Sequence, residues 1–131
     1  MPDRVADASV VAAAAFREPR ADEASGLLDE ATIFAPPLLS YELTSVARKK
    51  ARQQPERARE ITELLRMALG LAIRWAGVDH PLVLSLALTT GLSSYDATYL
   101  HVAQSLRLPL VTFDRRLQVA ADELGIASIE A

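Results

Sequence analysis

Two rhythms of hydrophobic and polar positions alternate along this chain. Short apolar runs, of the kind that form buried strands, are separated by longer stretches with apolar residues at helical spacing. The clearest of the long stretches places Ile61, Leu64, Leu65, Ala68, Leu69 and Ala72 on one face, which predicts an amphipathic helix opened by Pro55. Strands are expected at Arg4 to Ala6, Thr32 to Ala35, somewhere in Ala72 to Val78, Leu108 to Phe113 and Ile126 to Ile129. Further helices are expected over Ser9 to Phe16, Ala21 to Asp29, and from Pro36 and Pro37 to about Gln53. Pro81 opens another, closed by Gly91; Ser93 or Ser94 caps the next, to about Arg107; and Asp114 caps the last, to Leu124. Strand and helix in alternation predict an α/β fold with a mostly parallel central sheet between two helical layers. Trp75 and the phenylalanines are expected in the core.

At 131 residues the chain fits a single domain spanning residues 1–131, and half of its residues are hydrophobic, enough for a substantial core. It has no cysteine, which excludes a disulfide scaffold, a thiolate metal site and a cysteine nucleophile. The N-terminus lacks the apolar segment of a secretory signal, and no uninterrupted apolar run is long enough to span a membrane. These features lead us to expect a soluble, cytoplasmic protein. The net charge of −3 is not the footprint of a nucleic-acid binder, but several of the acids could be neutralised by bound cations. Basic residues cluster at Arg48, Lys49, Lys50 and Arg52, at Arg57 and Arg59, and at Arg107, Arg115 and Arg116. Each cluster reads equally as a solvated helix face or as a contact for phosphates.

Four carboxylates stand out by position. Asp7 and Asp114 each follow an expected strand and precede an expected helix, so both belong in the crevice beyond the carboxyl ends of a parallel sheet. Taken singly, each also reads as an ordinary helix cap. Glu42 has Leu38, Leu39 and Val46 on its side of its helix, and Asp96 has Leu100 and Ala103. Inward-facing carboxylates are costly unless paired or bound to a cation. No obvious lysine or arginine lies beside them on the same face, which suggests a shared Mg2+ or Mn2+, ions that prefer oxygen ligands. His80 and His101 have no partner histidine at ligand spacing and read as structural. Tyr41 and Tyr95 adjoin the candidate ligands and could stack on a base, but local packing is the plainer expectation.

The segments VADASV (residues 5–10), SSYDATYL (93–100) and LVTFDRRL (110–117), with Glu42 in LSYEL (39–43), resemble the sequence blocks of PIN domains. Their order and spacing are similar to those of VapC-type toxins, and the resemblance covers nearly the whole chain. It implies a PIN-like three-layer α/β/α fold and a divalent-metal-dependent endoribonuclease. It also implies metal binding by Asp7, Glu42, Asp96 and Asp114, with Ser9 and Thr112 lining the site. It further implies a homodimer, held inactive by a small antitoxin protein. Two departures stand out. The strand before Asp7 is short and polar, which suggests a weaker edge or an altered start site, and Arg115 and Arg116 occupy positions where some relatives carry additional acids.

Phosphodiester cleavage needs an activated water, neutralised phosphate charge and help for the leaving oxygen, and one or two divalent ions can supply all three. Arg48, Lys49, Arg115 and Arg116 are the candidate RNA contacts. A competing expectation is a PIN domain that binds RNA or protein without cutting. A phosphoryl-transfer enzyme on another α/β fold fits worse. The early Asp-x-Asp of haloacid-dehalogenase-like phosphatases is replaced by Asp7-Ala8-Ser9, the late lysine of receiver domains is missing, and there is no Gly-Lys-Ser/Thr phosphate loop.

Overall fold

The computed structural model describes residues 1–129. Its elements run in the expected alternation: β1 (Asp3–Ala6), α1 (Ala8–Ala15), α2 (Ala21–Leu28), β2 (Thr32–Ala35), α3 (Leu38–Gln53), α4 (Ala58–Leu69), β3 (Arg74–Trp75), α5 (His80–Thr90), α6 (Ser94–Leu106), β4 (Leu110–Val111) and α7 (Arg115–Glu123). The four strands form one sheet in the order β3-β2-β1-β4, and every pairing is parallel. Asp3 lies opposite Thr32, and Val5 lies opposite both Phe34 and Leu110.

β1 is therefore central, not an edge as its polar start suggested. A short strand survives there because it is paired on both sides and buries Val5 and Ala6 completely. The Arg4 side chain is accommodated beside the sheet, where Nη1 donates to the Leu27 carbonyl at 2.6 Å.

Each face of the sheet carries its own core. On one, Val10, Val11, Ala13 and Phe16 of the α1 region pack with Leu27, Leu39, Leu43, Ile61 and Leu64. On the other, Tyr99, Leu100 and Val102 of α6 pack with Leu110, Leu117 and Ile126. This is the expected three-layer α/β/α arrangement.

Several expectations need correcting. The segment Ala72–Val78 contributes only two paired residues, and Leu108–Phe113 only Leu110 and Val111. The expected last strand reduces to one parallel bridge, between Ser128 and Leu110. Pro55 opens a short 3-10 turn, Pro55–Arg57, rather than α4 itself, and α4 stops before Ala72 at Gly70. Trp75 is 46% exposed because β3 is an edge strand too short to be covered on both faces. Phe16 is buried, whereas Phe34 and Phe113 are only partly so. Gly91 does close α5, in the left-handed conformation (φ 75°) that glycine adopts without steric cost. Among the described residues no helix is long and apolar enough to cross a membrane.

Candidate metal centre

Parallel strands all end on one side, and the chain turns there into helices. β1 delivers Asp7 to that edge, β4 delivers Thr112 and Asp114, and β2 leads through Pro36 and Pro37 into the first turns of α3, which carry Glu42. α6 packs beside β1 and presents Asp96 in its first turn. Residues far apart in sequence are thus brought to one end of the fold, the usual ligand crevice of open α/β sheets.

Asp7 is the most constrained of the four acids, with 5% of its surface exposed. As the cap of α1, its Oδ1 accepts from Ser9 N (3.1 Å), Val10 N (3.4 Å) and Ser9 Oγ (2.6 Å). Its Oδ2 accepts from Thr112 Oγ1 at 2.5 Å. The two hydroxyls also accept: Ser9 Oγ from Phe113 N at 2.9 Å, and Thr112 Oγ1 from Asp114 N at 3.0 Å. Each hydroxyl has one hydrogen, and both hydrogens go to Asp7. The 3.4 Å approach between Ser9 Oγ and Thr112 Oγ1 is therefore a contact without a proton. Gln118 steadies the same loop by donating to the Thr112 carbonyl at 2.8 Å. Ser9 and Thr112 thus hold Asp7 and tie the two strand ends together.

The other acids are half-buried. Asp114 caps α7, its Oδ1 accepting from Arg116 N (2.9 Å) and Leu117 N (3.3 Å). Asp96 lies three residues after the Ser93 cap of α6, whose Oγ accepts the Asp96 N–H at 3.1 Å. Glu42 Oε1 accepts from the Tyr99 hydroxyl at 2.6 Å. Sequence reading missed Tyr99, although a signal existed: it follows Asp96 by three residues and shares its helix face. Its hydroxyl is pushed to higher pKa by burial, by its bond to Glu42 and by the charges of Glu42, Asp7 and Asp96.

These carboxylates feel one another in series. Burial, opposed by the hydroxyl and amide donors, pushes Asp7 up to about 6, and Glu42 adds to the rise. Burial also raises Glu42, against the Tyr99 bond, with Asp96 contributing. Burial and then Asp114 raise Asp96, against the Ser93 bond and the Arg116 charge. Arg116 is thus a nearby cation that sequence reading placed only on the RNA. Among the described residues none of the four acids makes an ion pair, and Glu42 Oε2 and Asp114 Oδ2 accept no hydrogen bond.

An all-oxygen donor set, mutually repelling and, among the described residues, without an ion pair, fits a hard divalent ion. Among the described residues no three acids converge as a ready-made cage. Like charges without a counter-ion separate, and Mg2+ commonly uses only one or two carboxylates plus waters. Asp7 Oδ2, Glu42 Oε2 and Asp114 Oδ2 keep lone pairs for such an ion.

Of the candidate RNA contacts, Arg115 and Arg116 are exposed in the first turn of α7, next to Asp114. Arg48 and Lys49 are exposed further along α3 from Glu42 and lie outside the acid cluster. Tyr41 and Tyr95 do not pack locally: they are 74% and 62% exposed. His101 is buried in α6, where Nε2 accepts the Asp79 N–H at 3.1 Å, a structural role as expected. An apolar depression of about 260 Å3 beside α1 and α2, lined by Val11, Leu28, Ile33 and Ile73 among others, contains none of the four acids.

The sequence model of the PIN domain matches residues 4–123. This chain belongs to the PIN domain family. Among solved structures, PAE2754 from Pyrobaculum aerophilum is similar, with a TM-score of 0.73 and 28% identity over 91% of this chain and 79% of that one. VapC20 from Mycobacterium tuberculosis, a sarcin-ricin loop cleaving toxin, shares the fold at TM-score 0.69 and 17% identity, over 98% of this chain and 99% of that one. VapBC2 from Rickettsia felis, solved bound to a DNA fragment from its promoter, shares it at TM-score 0.68 and 13% identity, over 97% of each chain. The search of curated proteins gives no match.

Proposed function

We propose that this PIN domain is a divalent-metal-dependent endoribonuclease, cytoplasmic, and the toxin of a toxin–antitoxin pair. The observation that carries the reading is the gathering of Asp7, Glu42, Asp96 and Asp114 at the carboxyl edge of the sheet, coupled in series and without ion-pair partners. Family membership and the VapC neighbours support it.

In this reading Asp7, Glu42, Asp96 and Asp114 hold Mg2+ or Mn2+. The ion, when bound, supplies charge neutralisation at the phosphate and a more acidic water. Thr112 and Ser9 fix the Asp7 carboxylate so that Oδ2 has one defined orientation. Tyr99 holds Glu42 by one oxygen and leaves the other available. Arg115 and Arg116 attract the phosphate backbone beside Asp114. Leu84 and Leu88 stand exposed four residues apart on one face of α5, apolar side chains of the kind that protein partners cover, which supports a homodimer or an antitoxin contact.

The test is cleavage of a labelled single-stranded RNA pool with Mn2+, with Mg2+ and with chelator, beside the Asp96→Asn variant. Metal-dependent cutting lost in the variant is expected. Equal cutting by the variant would contradict the site. A second reading, a PIN domain that binds without cutting, draws on the lack of a preformed three-acid cage among the described residues. Calorimetry with Mn2+ separates the two, because the nuclease must take up the ion and the binding module need not.

A further inference from the structure

α3 carries more than Glu42. On a helix, residues four, seven and eleven positions apart share one flank. Tyr41, Ser45, Arg48 and Arg52 fall at that spacing, and Lys49 lies between this flank and Glu42. All of these side chains are exposed, and Ser45, Arg48, Lys49 and Arg52 line an open depression of about 550 Å3. Among the described residues, Arg48, Lys49 and Arg52 make no ion pair. Arg20 and Arg57 each bond an acid three residues along, Arg66 bonds Glu63 three residues back, and Lys50 faces Glu18. Other exposed cations, such as Arg59, Arg74 and Arg107, are unpaired too, but Arg48, Lys49 and Arg52 stand together on one helix and line one depression.

At the acidic end of the flank lies a second concavity, of about 400 Å3. Tyr41 and Tyr95 stand on its rim, Pro37, Leu38 and Val83 form its apolar lining, and Ser94 and Thr98 supply hydroxyls. Each tyrosine immediately precedes one of the acids, Glu42 or Asp96, and both rings are largely exposed. An exposed aromatic ring is a stacking platform for a base, and a row of unpaired cations suits successive phosphates.

We propose that the exposed flank of α3 is a track for single-stranded RNA. Arg48, Lys49 and Arg52 take phosphates on one side of the acidic centre, and Tyr41 and Tyr95 receive a base at its edge. From Tyr41 to Arg52 the helix rises about 16 Å, so the track serves several nucleotides rather than one phosphate. The proposal rests on the nuclease reading for its substrate class, and it assigns that substrate's path.

The test measures binding of a fluorescent single-stranded RNA in chelator, which stops cutting, across a range of salt. The Arg48→Gln/Lys49→Gln/Arg52→Gln protein should lose about 2 from the slope of log affinity against log salt, at roughly 0.7 for each phosphate contact. The Tyr41→Ala/Tyr95→Ala protein should bind at least tenfold more weakly with its slope unchanged, and the Phe pair should restore binding. Circular dichroism confirms that each variant is folded. An unchanged slope in the triple variant overturns the track, as does wild-type binding by the tyrosine pair. Loss of self-association by the tyrosine pair with RNA affinity intact would instead make the concavity a protein interface and overturn it too. Failure of the nuclease reading gives a different result, in which wild-type protein cuts no RNA with Mn2+ or Mg2+, whatever it binds in chelator.

Discussion

The turn from β1 into α1 and the turn into α5 are built alike and differ in what surrounds them. Each places an aspartate at the helix cap, where a carboxylate oxygen accepts a backbone N–H: Ser9 and Val10 for Asp7, Leu82 for Asp79. Asp79 is exposed, contributes to the electrostatics of none of Asp7, Glu42 and Asp96, and holds its loop by donating its own N–H to His101. Asp7 is buried, takes two hydroxyls from Ser9 and Thr112 in addition to its capping bonds, and feels Glu42. A cap alone therefore says nothing about chemistry. The difference lies in the neighbours that the sheet brings up, and these stand at the carboxyl ends of parallel strands only in the first case.

The largest break in this comparison should come from Asp7→Asn. The amide keeps an oxygen for the cap but loses the charge, so the fold is retained while the proposed metal ligand is removed. Loss of several kcal/mol of charge stabilisation corresponds to a fall in RNA cleavage of roughly a thousandfold. Single-turnover cleavage with Mn2+ checks it, and activity within tenfold of wild type would remove Asp7 from the centre.

A second test reads the same group through stability. The Asp7 carboxyl lies at about 6 in the fold against an ordinary 3.8, because burial disfavours its charge. The native state therefore holds a proton that the unfolded chain releases, and metal-free protein loses stability as pH rises from about 4 to 6. The shift is worth roughly 3 kcal/mol. Glu42 and Asp96 move in the same direction. Melting in chelator should be higher at pH 5 than at pH 7, and Asp7→Asn should flatten the difference. Added Mn2+ should raise the melting temperature at pH 7 and do much less at pH 5, where protons compete for the same oxygens. A melting temperature that climbs steadily from pH 5 to pH 7 in chelator would contradict the burial argument.

Thr112→Val sharpens the contrast by removing neighbours rather than the acid. Valine keeps the shape but takes away the donor to Asp7 Oδ2 and the acceptor of Asp114 N. Residues that orient ligands in this way typically contribute 10- to 100-fold in metal affinity or activity. A Mn2+ titration of cleavage should shift by about that factor. Thr112→Ser, which keeps the hydroxyl, should recover most of it.

Local chemistry was legible in the sequence, and long-range contact was not. Caps such as Asp7, Ser93 and Asp114, the glycine closing α5, and the prolines before α3 act within a few residues, so these helices were readable almost to their ends, whereas α4, without a side-chain cap, was read too long at both. The acids could be placed at one end of the fold because parallel strands end together. The Tyr99–Glu42 bond joins residues 57 apart and depends on how α6 meets α3, which no local pattern encodes. The lengths of β3 and β4 and the exposure of Trp75 depend on which neighbours cover each strand. Tyr41 and Tyr95 were misread for the same reason: an aromatic residue beside a half-buried acid need not itself be buried.

Asp79→Ala is the smallest expected effect and the control for all the others. It removes the bond from Leu82 N to Asp79 Oδ1 but keeps the backbone N–H that His101 accepts. Losing an exposed cap costs about 1 kcal/mol, or roughly 4 °C in melting temperature for a chain of this size. RNA cleavage and the Mn2+ dependence should stay at wild-type values. The pH dependence of stability should keep its slope, because the groups that produce it, Asp7 with Glu42 and Asp96, lie elsewhere. If Asp79→Ala instead reduced cleavage as strongly as Thr112→Val, the difference between the two turns would not lie in their neighbours, and α5 would have to be coupled to the acidic centre through His101 and α6.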